Sequence, residues 1–341
     1  MSYKKIIVSE FGGPDVLKVV EESELPQPKQ GQIRVKVLTA GTGFTDTIIR
    51  EGQYVDNKQK PPFTPGYDWF GMVDALGEGV TKYHVGDYVA DLCMIGGYTQ
   101  YLTVDADAVI PAPTGLDPAE AVAMILSYGT AYQLLTRCHP LPPGSTVLVH
   151  AAGGAVGSAV CELAKLLGIN LIGTASKSKH HLLDQFDCQA IDYKTEDFVE
   201  SVHTLTQGKG VDAVLDTMGG AYFARSYRCL KRGGKLVGFG AYQLTSGEEK
   251  LPSLLWGFFK LFVAWKLIPD GKKTAFYHIE HRRAKHPEEF NEDMQQLFTW
   301  LKAGKLKPVI AERRPLEEAS AVHQQIDNAS ILGKTVLVCH P

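Results

Sequence analysis

Two textures of apolar and polar residues divide the chain. Up to about residue 120, residues 33–39 (IRVKVLT) and 71–76 (GMVDAL) alternate as half-buried strands do, and Gly and Pro interrupt often. The turn Val85-Gly86-Asp87 and residues 97–103 (GYTQYLT) close this stretch. The pattern predicts a β-rich, barrel-like domain. From Val147 onward the strands become unbroken apolar runs separated by helical segments. Val147, Leu148 and Val149 suit a buried parallel strand, and residues 158–167 (SAVCELAKLL) predict a helix closed by Gly168. Residues 170–176, 190–193, 211–216 and 235–240 read as further strands, with helices around Leu182, Phe198 and Ala224. This alternation predicts an α/β class with a doubly wound parallel sheet. Helices over residues 287–303 and 315–326 and a strand over 334–339 lead back to the first domain. The expected division is 1–122, 123–280 and 281–341.

The turn between the first parallel strand and its helix carries the chemistry. In Ala151 to Gly157 (AAGGAVG), Ala152, Gly154 and Gly157 occupy the three small-residue positions of a dinucleotide fingerprint, with Ala in the first. Small residues let the backbone turn tightly and approach a pyrophosphate, whose charge then sits at a helix N-terminus. Gly153, Gly154, Val156 and Gly157 are therefore candidate cofactor residues. The end of the next strand selects the dinucleotide. An NAD site usually carries Asp or Glu there, whereas this chain has Ser176, Lys177, Ser178 and Lys179. Two ammonium groups and two hydroxyls suit a 2′-phosphate, so the residues predict NADPH. Solvation of the next helix start is the alternative role for the lysines.

Composition narrows the setting. The 341 residues are 44% hydrophobic with a net charge of −3, which gives no footprint for nucleic acid. Cys93, Cys138, Cys161, Cys188, Cys229 and Cys339 form no short-spaced pair, and the N-terminus has no apolar secretory core. A reducing, cytoplasmic setting is expected.

Several phrases in order resemble the medium-chain dehydrogenase/reductase superfamily: Phe11-Gly12-Gly13-Pro14, residues 64–71 (TPGYDWFG), residues 85–89 (VGDYV), residues 151–157 and Ile331-Leu332-Gly333-Lys334. Within it the chain looks most like the zinc-independent quinone oxidoreductases that include ζ-crystallin. The resemblance implies a GroES-like domain beside a Rossmann domain, and a homodimer paired through the nucleotide domain. Zinc enzymes of the superfamily place Cys before an Asp, a His-Glu pair in a glycine turn, and a further Cys. The matching stretches here read Thr42-Gly43-Phe44-Thr45-Asp46, Tyr67-Asp68 and Leu126-Ser127-Tyr128-Gly129, so no catalytic metal is expected. Without a Lewis acid the acceptor must already be electron-poor, which points to quinones and α,β-unsaturated carbonyls. The resemblance also makes Tyr54 a proton donor near the nicotinamide, or a wall against it, and Asp46 a catalytic or orienting acid. The asparagine common beside that acid in quinone reductases is Gly43 here. Tyr193 is placed by the resemblance at the 2′-phosphate or adenine, and Gly238, Phe239 and Gly240 at the nicotinamide half. An enoyl thioester reductase, or an NADPH-binding structural or membrane-associated protein without turnover, are the competing functions.

One segment has no counterpart in that pattern. From Leu251 to Pro269 the chain reads LPSLLWGFFKLFVAWKLIP. Leu254, Phe258, Leu261, Phe262 and Trp265 fall at helical spacing and predict one apolar face, opposite Ser253, Gly257, Lys260 and Ala264. It suits a buried or interface helix, a lid for a lipophilic acceptor, or a peripheral membrane contact aided by Trp256, Trp265 and two lysines.

Overall fold

Alternating burial along β3 (Gln32–Gly41) puts Ile33, Val35 and Val37 in the interior of the first unit. This strand is the hub of a sheet because it is long enough to take three partners. It pairs with β4 (Asp68–Leu76) along one edge, and with β6 (Tyr101–Asp105) and then β15 (Lys334–Val338) along the other. β5 (Tyr88–Leu92), β7 (Ile110–Ala112) and β14 (Ile310–Pro315) complete the seven strands, in the order β14-β15-β3-β4-β5-β7 with β6 on β3. β1 (Tyr3–Val8) and β2 (Leu17–Glu22) form a separate antiparallel pair. The computed structural model describes residues 1–240, 242 and 251–340. Two units result: residues 1–129 with 291–341, and residues 130–290.

The second unit holds six strands, all parallel to their neighbours: β8 (Thr146–Val149), β9 (Asn170–Ala175), β10 (Gln189–Asp192), β11 (Val211–Asp216), β12 (Leu230–Gly238) and β13 (Lys273–Phe276). Their order is β10-β9-β8-β11-β12-β13. Strand succession therefore reverses between β8 and β11, which is where doubly wound sheets bind ligands. Leu148, Ile172, Val214 and Leu236 fill the sheet's centre, with Phe198 and Phe223 packed against it.

Several boundaries depart from the sequence reading. The helix after β8 spans Ala155–Leu167 and so starts three residues early, with Gly154 in extended conformation as its N-cap; Gly168 (φ 70°) ends it as expected. β6 begins only at Tyr101, because Gly97 and Tyr98 donate to the carbonyls of Gly66 and Pro65 at 3.0 and 2.9 Å. Phe239 and Gly240 lie just beyond β12, and Tyr193 just beyond β10.

The apolar segment is not one continuous face. A helix runs Leu251–Phe262, and a separate 3₁₀ turn over Ala264–Leu267 carries Trp265 inward. Leu254 and Leu261 are buried, whereas Phe262 is 47% exposed, contrary to the predicted face. The reason lies at Gly257, grouped above with the polar stripe. A Cβ there would sit 2.6 Å from the Gly220 carbonyl oxygen, so this glycine lets the helix lie directly on the next backbone and rotates Phe262 outward. Leu255, Trp256, Phe259 and Val263 are exposed as well. No helix among the described residues is long and apolar enough to cross a membrane. All six cysteines are free thiols.

Candidate functional site

The second unit offers a cradle for an anion at the C-terminal end of β8. The chain turns through Ala151 (φ 54°), Gly154 donates to the Ala151 carbonyl at 3.0 Å, and the helix opens at Ala155. Gly157 has no room for a side chain, since a Cβ would lie 2.2 Å from the Ala151 oxygen and 2.6 Å from the Ala152 Cα. Gly154 and Val156 are half-buried at the helix start, where the first-turn amides have no intrahelical acceptor. A backbone that a Cβ would block, at a positive helix end, fits a pyrophosphate. Next to it, Ser176 caps the 3₁₀ turn Lys177–Lys179. Lys177 points into solvent, but Lys179 is half-buried and its stem lies over Gly153, 2.8 Å from where a Cβ would be. Burial holds the Lys179 ammonium below its ordinary range. Tyr193 is 48% exposed.

The same strand ends are tied together from below by a chain of buried polar side chains. Asp216, fully buried at the end of β11, accepts from the amides of Met218 and Gly219 at 2.8 and 3.1 Å and from Ser226 Oγ at 2.6 Å. Ser226 in turn meets His150 Nε2 at 2.9 Å, and His150 Nδ1 meets Thr174 Oγ1 at 3.0 Å. Burial depresses the His150 pKa and favours neutral imidazole, which can join two hydroxyls as donor and acceptor. The chain thereby fixes the ends of β8, β9 and β11 to one another. The signal in the sequence was a polar residue within or directly after each of the three apolar strands. Phe239 and Gly240 follow the turn after β11 closely: a Cβ on Gly240 would lie 2.5 Å from Thr217 Oγ1, and the Phe239 amide donates to the Asp216 carbonyl at 2.9 Å, while a Cβ on Gly238 would meet the Phe223 ring at 2.8 Å.

Asp46 and Tyr54 lie in the first unit. Asp46 is the third residue of the helix Phe44–Arg50, and its Oδ2 accepts from the N-cap Gly43 amide at 2.9 Å. It is fully buried, also accepts from the Tyr67 amide, and is pushed up to about 7, chiefly by burial and then by the neighbouring Asp68. Tyr54 is half-buried, and its hydroxyl is 2.8 Å from that of Tyr67, a buried residue just before β4. The two rings meet edge to face with centroids 6.0 Å apart. Asp68 is held by Lys334 Nζ at 3.2 Å and by the Leu126 amide at 3.2 Å. Behind Asp46, Tyr98 donates toward its carboxyl and is 3.1 Å from His323 Nε2, while Arg50 meets His323 Nδ1 at 3.2 Å. Asp46 and Asp68 are thus the carboxylates nearest the expected metal turns. One faces amides and the other an ammonium, so this donor set does not fit zinc.

Two family models match the chain: an alcohol dehydrogenase GroES-like domain over residues 29–114 and a zinc-binding dehydrogenase over residues 188–337. The chain is 32% identical to the synaptic vesicle membrane protein VAT-1 homolog of Danio rerio, covering 100% of this chain and 71% of the relative. It is 31% identical to the 2-haloacrylate reductase of a Burkholderia species, covering 97% and 98%. Among solved structures, the Escherichia coli quinone oxidoreductase complexed with NADPH superposes with a TM-score of 0.85 at 29% identity, covering 98% of this chain and 99% of that one.

Proposed function

Because the chain belongs to the medium-chain dehydrogenase/reductase superfamily, in its zinc-independent quinone oxidoreductase group, we propose that it is an NADPH-dependent oxidoreductase of quinones or α,β-unsaturated carbonyls. The observation that carries this reading is the glycine cradle at the helix Ala155–Leu167, on the switch point of the parallel sheet. When bound, NADPH supplies a hydride from its nicotinamide ring.

The chain's own residues divide the remaining work. Gly153, Gly154, Val156 and Gly157 hold the pyrophosphate through backbone and helix end. Ser176, Lys177 and Lys179 take the 2′-phosphate, with Tyr193 against it or the adenine. Gly238, Phe239 and Gly240 line the nicotinamide half. In the first unit Tyr54 gives a proton to the reduced acceptor, and Asp46 orients the Tyr67 turn, since a fully buried carboxyl held by two amides has no access to a substrate. The substrate is a small molecule, and we assign it a lipophilic, electron-poor character. The cell compartment that fits is the cytoplasm.

The protein also pairs as a homodimer through its second unit. β13 has one neighbour, β12, among the described residues, and the helix Leu251–Phe262 beside it presents Leu255, Trp256 and Phe259 outward. An open sheet edge next to an exposed aromatic surface suits a second copy. Contact of the same surface with a membrane is the competing use.

NADPH oxidation with a quinone, a small enone and an enoyl thioester tests the function. Turnover with the first two is expected, with a preference of at least about tenfold over NADH. That preference should fall to about twofold or less in a Lys177→Ala/Lys179→Ala protein, with NADH kinetics unchanged. Turnover only with the thioester supports an enoyl thioester reductase, and none with any acceptor a binding protein.

A further inference from the structure

Tyr67 stands where zinc enzymes of the superfamily carry a ligand, and the function proposed above gives its side chain no part. Its placement is nonetheless controlled. Gly66, at φ 111°, lies so close to Tyr98 that a Cβ would sit 2.4 Å from the ring, and the Tyr67 carbonyl accepts from the Cys93 amide at 2.8 Å. The buried carboxyl of Asp46 takes the Tyr67 amide. A backbone held at both of its polar groups aims one buried phenol at the hydroxyl of Tyr54, 2.8 Å away.

We infer that Tyr67 is a positioning residue for the reduction: its hydroxyl donates to the Tyr54 oxygen and stabilises the phenolate that Tyr54 becomes on giving up its proton. The inference rests on Tyr54 being the proton donor. Hydride addition to an enone leaves an enolate. The Tyr54 O–H bond breaks as its proton bonds to that enolate, and the phenolate afterwards regains a proton from water. Two hydroxyls at this distance share one hydrogen, and the orientation in which Tyr67 donates leaves Tyr54's own proton for transfer. A hydrogen bond to a charged oxygen is stronger than one to a neutral phenol, so the contact tightens as the proton leaves.

A double-mutant cycle tests this, using Tyr54→Phe, Tyr67→Phe and the double variant. Phe at 67 keeps the ring and removes only the donor. Tyr67→Phe is expected to lower kcat on an enone about tenfold with KM unchanged, and to leave Tyr54→Phe no more than about twofold slower when combined with it. Independent of turnover, ultraviolet titration of the ligand-free protein, read as the difference from the same protein carrying Tyr54→Phe, reports the Tyr54 phenolate. Its appearance should move to higher pH in the Tyr67→Phe background. Losses that multiply in the double variant, an unmoved titration, or a Tyr67→Phe chain that no longer folds would each overturn the inference by giving Tyr67 a structural role. Should Tyr54→Phe itself reduce enones at the parental rate, the proton-donor reading fails instead.

Discussion

At the scale of single residues, Asp46 and His323 share one buried polar cluster and pull stability in opposite directions with pH. Burial lifts Asp46 from its ordinary 3.8 to about 7, so the folded chain holds a proton that the unfolded chain has released. Its contribution is fully present below pH 3.8 and is lost as pH rises through about 7. Burial and the adjacent Arg50 lower His323 from 6.5 to about 3. Its contribution is present above pH 6.5 and lost as pH falls toward 3. Between about pH 4 and 6.5 the slopes from these two groups oppose each other. Asp46→Asn should unmask the histidine, so that stability in urea unfolding rises with pH across that window. His323→Gln should do the reverse. Parallel profiles for all three proteins would mean that neither group titrates as its burial implies.

At the scale of elements, the loop after β8 could be read from the chain because its requirement is local. Gly157 must be glycine wherever this strand turns into this helix, and the apolar runs around it are long enough to name themselves. What escaped the sequence was assembled across elements. Tyr54 and Tyr67 are 13 residues apart, on either side of a loop, and no spacing rule pairs them. The chain His150, Thr174, Asp216 and Ser226 takes one residue from each of several elements, and Lys179 differs from Lys177 only in which side of a short turn it occupies. The outward turn of Phe262 depended on Gly257 meeting Gly220, a contact between two helices that one helix's periodicity does not contain. The loop's local character also makes it testable. Gly157→Ala puts a methyl against the Ala151 carbonyl, and overpacking of this kind costs about 1–3 kcal/mol. The helix start must shift to relieve it, so NADPH affinity measured by fluorescence should fall at least about tenfold while the far-ultraviolet circular dichroism is kept. Parental affinity would remove the cradle from the cofactor site.

At the scale of the whole molecule, the question is what meets the surface of the helix Leu251–Phe262. Trp256 and Phe259 stack at 5.2 Å and are 55% and 46% exposed, with Leu255 at 59% beside them. Exposed aromatic surface of this extent marks an interaction site, and aromatic residues are the ones enriched at interface centres. Lys260 lies over the Trp256 ring, so a cation sits within the apolar surface and not only around it. A second copy related by two-fold symmetry would cover both surfaces at once and would let two β13 edges approach. Replacing Trp256 and Phe259 together by Asp places two carboxylates at the centre of such a contact, where each faces its symmetry mate. Sedimentation velocity at about 10 µM, in the micromolar range where a specific interface of ordinary size holds a dimer, should then show the parent as a dimer and the variant as a monomer. NADPH affinity should be equal in the two, because the cradle follows β8 in the middle of the sheet, whereas this helix packs beside the edge strand β13. A monomeric parent that co-floats with anionic vesicles, and loses that property in the variant, would assign the surface to a membrane instead.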